Sequence, residues 1–294
     1  MNVITSGAGD LAHALTRPSA LRGLSVEAAW LAARTLLYPW GALPAPLESE
    51  RSRQRYRTDD LSPGRRGHLV TTLTTGDAPP PPVILVHGIA DNRSAFAVLA
   101  PALRRRGFAV VHAVNYHVLT AVTGDVREAA RAFGDQVERV REATGSDHVH
   151  VVGHSLGGLI ARYYVQRLGG DRRVHTLVTL GTPHAGTVTA HLLPTRLARQ
   201  LRPGSRLLAE LAGPAPGCRT RFVAIWSDLD QVVLPRENAR LSHPDLMVEV
   251  HQVCDVGHLS LPMAPRAVDA TVTALTRTAE YPREGHTPST CMDL

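Results

Sequence analysis

The sequence predicts an α/β fold, a mostly parallel sheet with helices on both faces. From residue 82 onward, short β-branched runs alternate with segments of helical periodicity, and several of those runs are apolar almost throughout, as strands covered on both faces must be. The 294 residues, 44% hydrophobic, are enough for one large α/β domain with a sizeable core or for two small domains, and length alone does not choose between them.

Residues 1–67 read as a helical and linker extension and 68–294 as the main domain. The first arginine is Arg17, preceded by Asp10, so the early positive charge of an export signal is not seen. The stretch AAWLAARTLLYPW, 28–40, is interrupted by Arg34 and is shorter than the roughly 20 residues that span a bilayer. A peripheral lipid contact through residues 24–57 would use Trp30, Tyr38 and Trp40 together with the arginines of RSRQRYR, 51–57. The competing arrangement packs this helix on the core and leaves the arginines on a solvated linker; Glu27 and Arg34, which leave only a narrow polar face, favour it.

The proline run APPPP, 78–82, stiffly joins this extension to the regular part. PVILVHG, 82–88, is expected as a buried strand, SAFAVLAPALRRR, 94–106, as a helix, and FAVVHAVNY, 108–116, as a second strand. Val126, Ala129, Ala130, Phe133, Val137 and Val140 repeat at helical spacing. HVHVVGH, 148–154, is a third strand, followed by a helix carrying Leu159, Ile160 and Tyr163 and ending at Gly169. RVHTLVTLG, 173–181, RFVAIWS, 221–227, and MVEVHQV, 247–253, complete the strands. Residues 187–215 break the rhythm with Leu192, Leu193, Leu197, Leu201, Leu207, Leu208 and Leu211, and read as two short helices that either cover the sheet or form a small helical cap over a pocket.

The net charge of +6 does not point to nucleic acid, because 26 acidic residues are interspersed with the 32 basic ones. All of the basic residues are arginines, which excludes lysine chemistry such as a Schiff base or a P-loop. Cys218, Cys254 and Cys291 match no zinc or redox spacing. Cys218 and Cys254 should lie at opposite edges of neighbouring strands, roughly 20 Å apart by strand rise. Free thiols and a reducing compartment, hence the cytoplasm with membrane association or export as alternatives, are the expectation.

Gly153-His154-Ser155-Leu156-Gly157 places a serine where a strand must reverse into a helix within one or two residues. Such a turn strains the central backbone and requires glycines two positions away on either side. It presents Ser155 as a nucleophile above the helix's free N–H groups. A serine hydroxyl needs a base and an orienting carboxylate. His258, in CDVGHLSLP, follows the last strand and is the preferred base; His184 and His251 suit packing roles, and His154 is expected to point away from the nucleophile. WSDLDQVVLP offers Asp228 and Asp230, of which Asp230 is preferred because Val232 and Val233 would anchor its loop, while Asp228 could cap the turn. An oxyanion would be met by the N–H groups of Leu156 and Ile89, where Gly88 permits close approach of the backbone.

PVILVHGIADN, VVGHSLGGLIARYY, LVTLGTPHAGT, SDLDQVV and VGHLSLP together resemble, in matching order over roughly residues 82–280, small bacterial α/β-hydrolase lipases and esterases. The resemblance implies the α/β-hydrolase fold and hydrolysis of small-molecule or lipid esters with Ser155, Asp230 and His258 as triad. It also implies a substrate site lined by His87, Gly88, Thr182 and Pro183, beside Gly181. No metal or organic cofactor is required for that chemistry. An acyltransferase or thioesterase would use the same triad, whereas an inactive binding module of the same fold would be expected to have lost a triad member.

Overall fold

Among the described residues, runs of valine, leucine and isoleucine form six strands: β1 (Val83–Val86), β2 (Val111–Val114), β3 (Val149–His154), β4 (Val174–Leu180), β5 (Arg221–Ser227) and β6 (Met247–Val253). The structure is a computed structural model and describes residues 25, 27–29, 32, 36 and 39, then 80–89, 91–115 and 124–276. Apart from the few described residues between 25 and 39, the amino-terminal extension lies outside these, as does most of the stretch considered for lipid contact. The strands make one parallel sheet in the order β2-β1-β3-β4-β5-β6. Chain direction across the sheet reverses between β1 and β3, where Val86 lies opposite Gly153. In such sheets the crevice beyond the carboxyl ends at this switch point is the usual site of ligand chemistry.

Helices cover both faces. On one lie α1 (Leu99–Arg105) and α6 (Pro265–Thr276); on the other lie α2 (Val126–Thr144), α3 (Leu156–Arg167), α4 (Arg196–Leu201) and α5 (Arg206–Ala212). Each face has its own apolar cluster, one around Leu99, Leu103, Val152 and Val223, the other around Ile84, Phe133, Val151 and Leu159. Alternate residues of β3 therefore serve opposite cores, and all six are buried. Burying each aliphatic side chain contributes about 1.5–3 kcal/mol. Among the described residues no helix is long and apolar enough to cross a membrane.

Three features differ from expectation. The 94–106 helix is divided into a 3-10 turn, Arg93–Phe96, capped by the Asn92 side chain, and α1, which starts at Leu99 so that Pro101 falls in its first turn, where no backbone N–H is needed. α6 occupies a stretch for which the sequence reading has no element. Cys254 is disulfide-bonded while Cys218 is a free thiol, which overturns the free-thiol expectation at Cys254 and, with it, the argument for a reducing compartment.

Candidate active site

β3 ends at His154 and α3 begins at Leu156, so Ser155 alone makes the turn. Its φ of 53° and ψ of −123° are strained for a residue with a side chain, a cost of about 1–3 kcal/mol that the surroundings must hold. Ser155 N–H donates to the Leu180 carbonyl at 2.8 Å, while its own carbonyl accepts from Gly158 N–H at 3.1 Å and Thr182 Oγ1 at 3.0 Å. Close packing explains the glycines: a Cβ at Gly157 would come within 2.2 Å of the Val86 carbonyl oxygen, and one at Gly153 within 2.5 Å of Gly158 Cα.

Three side chains from three strand ends converge here. Ser155 Oγ lies 3.0 Å from His258 Nε2, and His258 Nδ1 lies 2.7 Å from Asp230 Oδ2. Ser155 is 7% exposed, His258 3% and Asp230 0%. Asp230 Oδ1 accepts the N–H groups of Val232 and Val233, both at 2.8 Å, so the loop's own backbone aims the other oxygen at the imidazole. An ionised carboxylate can only accept; the imidazole proton therefore sits on Nδ1, leaving Nε2 to accept from the serine hydroxyl. Asp228 serves the backbone instead. Its Oδ1 accepts from Asp255 N–H at 2.9 Å and pins the turn that leads into His258, with Asp255 at φ 60°.

His154 does not point away from Ser155. Its ring packs 5.0 Å from that of His258, centroid to centroid, and its Nε2 lies 3.0 Å from the His258 carbonyl oxygen. His154 is the last residue of β3, so its side chain shares the sheet face of Val152, where Leu261 from the loop after β6 also packs. On the other side of His258, Glu27 accepts from the N–H groups of Leu259 (2.6 Å) and Ser260 (3.0 Å) and from the Ser260 hydroxyl. In the sequence Glu27 looks like part of a polar helix face; no periodicity could reveal a partner 232 residues away.

Gly88 borders Ser155, since a Cβ there would lie 3.0 Å from Ser155 Cβ. Ile89 follows it and Leu156 opens α3, so the loop after β1 and the helix start flank Ser155. His87 is 1% exposed with Nδ1 3.0 Å from the Gly88 carbonyl oxygen, and Thr182 is fully buried with its hydroxyl donated to the turn. Pro183 is buried beside it. Thr182 thus braces the Ser155 turn instead of facing open solvent. Gly181, at φ 55°, leaves room for the imidazole–carboxylate pair.

Arg162, not singled out by the sequence, is a 3% exposed cation whose described partners are all neutral: Gln166 Oε1 at 2.6 Å, the carbonyls of His184 (3.3 Å) and Leu211 (3.0 Å), and His184 Nδ1 at 3.3 Å. Burial lowers its pKa to about 9, and burial followed by the Arg162 charge holds His184 well below the usual histidine range, hence neutral. The guanidinium thus ties α3 to the loop after β4 and to the end of α5. Leu192 and Leu193, in the segment between β4 and α4, are exposed, and the Thr187 and Thr189 hydroxyls fasten that segment to the Val232 carbonyl at 2.7 and 2.6 Å.

Known proteins agree with this architecture. The family described as alpha/beta hydrolase fold matches residues 81–215. Triacylglycerol lipases of Pseudarthrobacter phenanthrenivorans and Burkholderia plantarii are each 31% identical over 110 residues, 36% of this chain and 34% and 30% of theirs. The match thus spans about a third of those relatives. Among solved structures, the mature Bacillus licheniformis lipase BlEst2 superposes with a TM-score of 0.57 at 16% identity, covering 70% of this chain and 96% of that one. Aspergillus fumigatus lipase B gives 0.58 at 20% identity, covering 67% and 53%. The parallel sheet, the strained serine turn after β3 and the matched segment show the α/β-hydrolase fold, and over the matched segment this chain is similar to triacylglycerol lipases.

Proposed function

We propose that this protein is a serine carboxylic-ester hydrolase working through an acyl-enzyme. The observation that carries the reading is the unbroken hydrogen-bonded chain from Ser155 Oγ through His258 to Asp230. His258 Nε2 takes the hydroxyl proton as Ser155 attacks the ester carbonyl, and Asp230 stabilises the resulting imidazolium. The N–H groups of Ile89 and Leu156 meet the oxyanion. The imidazolium returns its proton to the departing alcohol; water, activated by the same base, then releases the acid and restores Ser155. Apolar acyl groups are the favoured substrates, supported by the exposed Leu192, Leu193, Val188 and Val232 on the cap segment and the triad loop.

Ser155→Ala is expected to abolish both turnover of p-nitrophenyl esters and labelling by a fluorophosphonate. Full labelling of the alanine variant would refute the assignment. A chain-length series from acetate to palmitate then ranks the acyl preference.

A further inference from the structure

We infer that Glu27 is a positioning residue of this site, a carboxylate from the amino-terminal segment that holds the turn after His258 and so keeps the imidazole within bonding distance of Ser155. The inference rests on the ester-hydrolase reading above. Both Glu27 oxygens are engaged by the two residues that follow the base: Oε1 by Leu259 N–H at 2.6 Å, Oε2 by Ser260 N–H at 3.0 Å and by the Ser260 hydroxyl. Ser260 is 2% exposed, so without the carboxylate its donors would lose their acceptor where water has little access. The residue preceding the base is shaped for the same contact, because a Cβ at Gly257 would come within 2.3 Å of Glu27 Oε2. His258 is therefore gripped from both sides, its carbonyl by His154 and the next two residues by Glu27. These bonds join a helical residue near the start of the chain to the catalytic loop near its end.

Glu27 also brings negative charge to the loop of a residue that must become cationic. The other charged or titratable groups around His258 are Asp230 on Nδ1, His154 against the ring, Arg236 bonded to the Asp230 carbonyl, Asp255 in the preceding turn, and Asp228, which holds that turn from the loop after β5. Removing one negative charge makes the imidazolium less favourable, so the acid limb of the pH profile moves to lower pH.

The test is the rate constant for fluorophosphonate labelling of Ser155, measured from pH 5 to 9 on the full chain, for wild type, Glu27→Ala and Glu27→Gln. The alanine variant is expected to label on the order of 10- to 100-fold more slowly at its optimum, as for a catalytic group displaced by up to about 1 Å. Glu27→Gln, which keeps the shape and one acceptor oxygen, should recover part of that rate while its acid limb lies below that of wild type. Wild-type rates and an unmoved limb in both variants, even with a lowered Tm, would overturn the inference. If the alanine variant does not fold, the glutamine variant decides by its limb alone. An unlabelled wild type would overturn the hydrolase reading itself, and this inference with it.

Discussion

Gly181→Ala tests whether the space beside the imidazole–carboxylate pair is needed for activity. Gly181 has φ 55°, and a Cβ built there would lie 2.8 Å from Leu261 Cδ1, 3.1 Å from His258 Nδ1 and 3.2 Å from Asp230 Oδ2. Two effects add: left-handed backbone strain, about 1–2 kcal/mol for an L-residue, and a methyl group that pushes the pair aside by a few tenths of an ångström or more. Gly145, which caps α2 at φ 66° with nothing within 4 Å of a Cβ, isolates the first effect. At about 2–4 °C per kcal/mol for a domain of this size, both alanine variants should lose roughly 2–8 °C of Tm by scanning calorimetry. Only Gly181→Ala should also lose kcat on a p-nitrophenyl ester, on the order of 10- to 100-fold, as misplacement of a catalytic group does. Wild-type kcat in Gly181→Ala would refute the argument, as would an equal loss in Gly145→Ala.

Asp230→Asn is expected to lower kcat on the order of 10⁴-fold by disturbing the imidazole tautomer, whereas Asp228→Asn, which keeps an acceptor for Asp255 N–H, should stay near wild type in the same assay. Burial lowers the His150 pKa to about 3, so between about pH 6.5 and pH 3 the unfolded chain takes up a proton that the folded one refuses, and stability falls as pH falls through that window. His150→Leu should show a shallower loss of Tm from pH 7 to pH 4; an unchanged slope would count against the linkage. Arg127 binds Glu210 at 2.8 Å and Asp125 at 3.1 Å, joining α2 to the segment over the sheet. Because these groups are partly exposed, Arg127→Met should cost only about 0.5–1 kcal/mol in denaturant melts.

The regular core was legible because buried parallel strands announce themselves: β5, buried at every position, occupies the very residues 221–227 that its apolar run marks out. The turn at Ser155 was legible too, since only small neighbours tolerate it. Asp230 could be preferred over Asp228 from the valines that follow, though only Val233 is buried while Val232 is 39% exposed. α6 is absent from the sequence reading despite Pro265 at its first position and Ala267, Val268, Thr271, Val272 and Leu275 at helical spacing, a signal the sequence does carry. Glu27, His154 and Arg162 act through partners distant in the chain or on another element of the fold. Local pattern contains neither.

Ser155 and His258 sit on unequal ground. Ser155 rises from β3, an interior strand buried along its whole length, whereas His258 follows β6, an outer strand with one fully enclosed residue out of seven. Edge segments open more cheaply than central ones. Mild heating or dilute denaturant is therefore expected to loosen the loop that carries His258 while the central strands stay assembled.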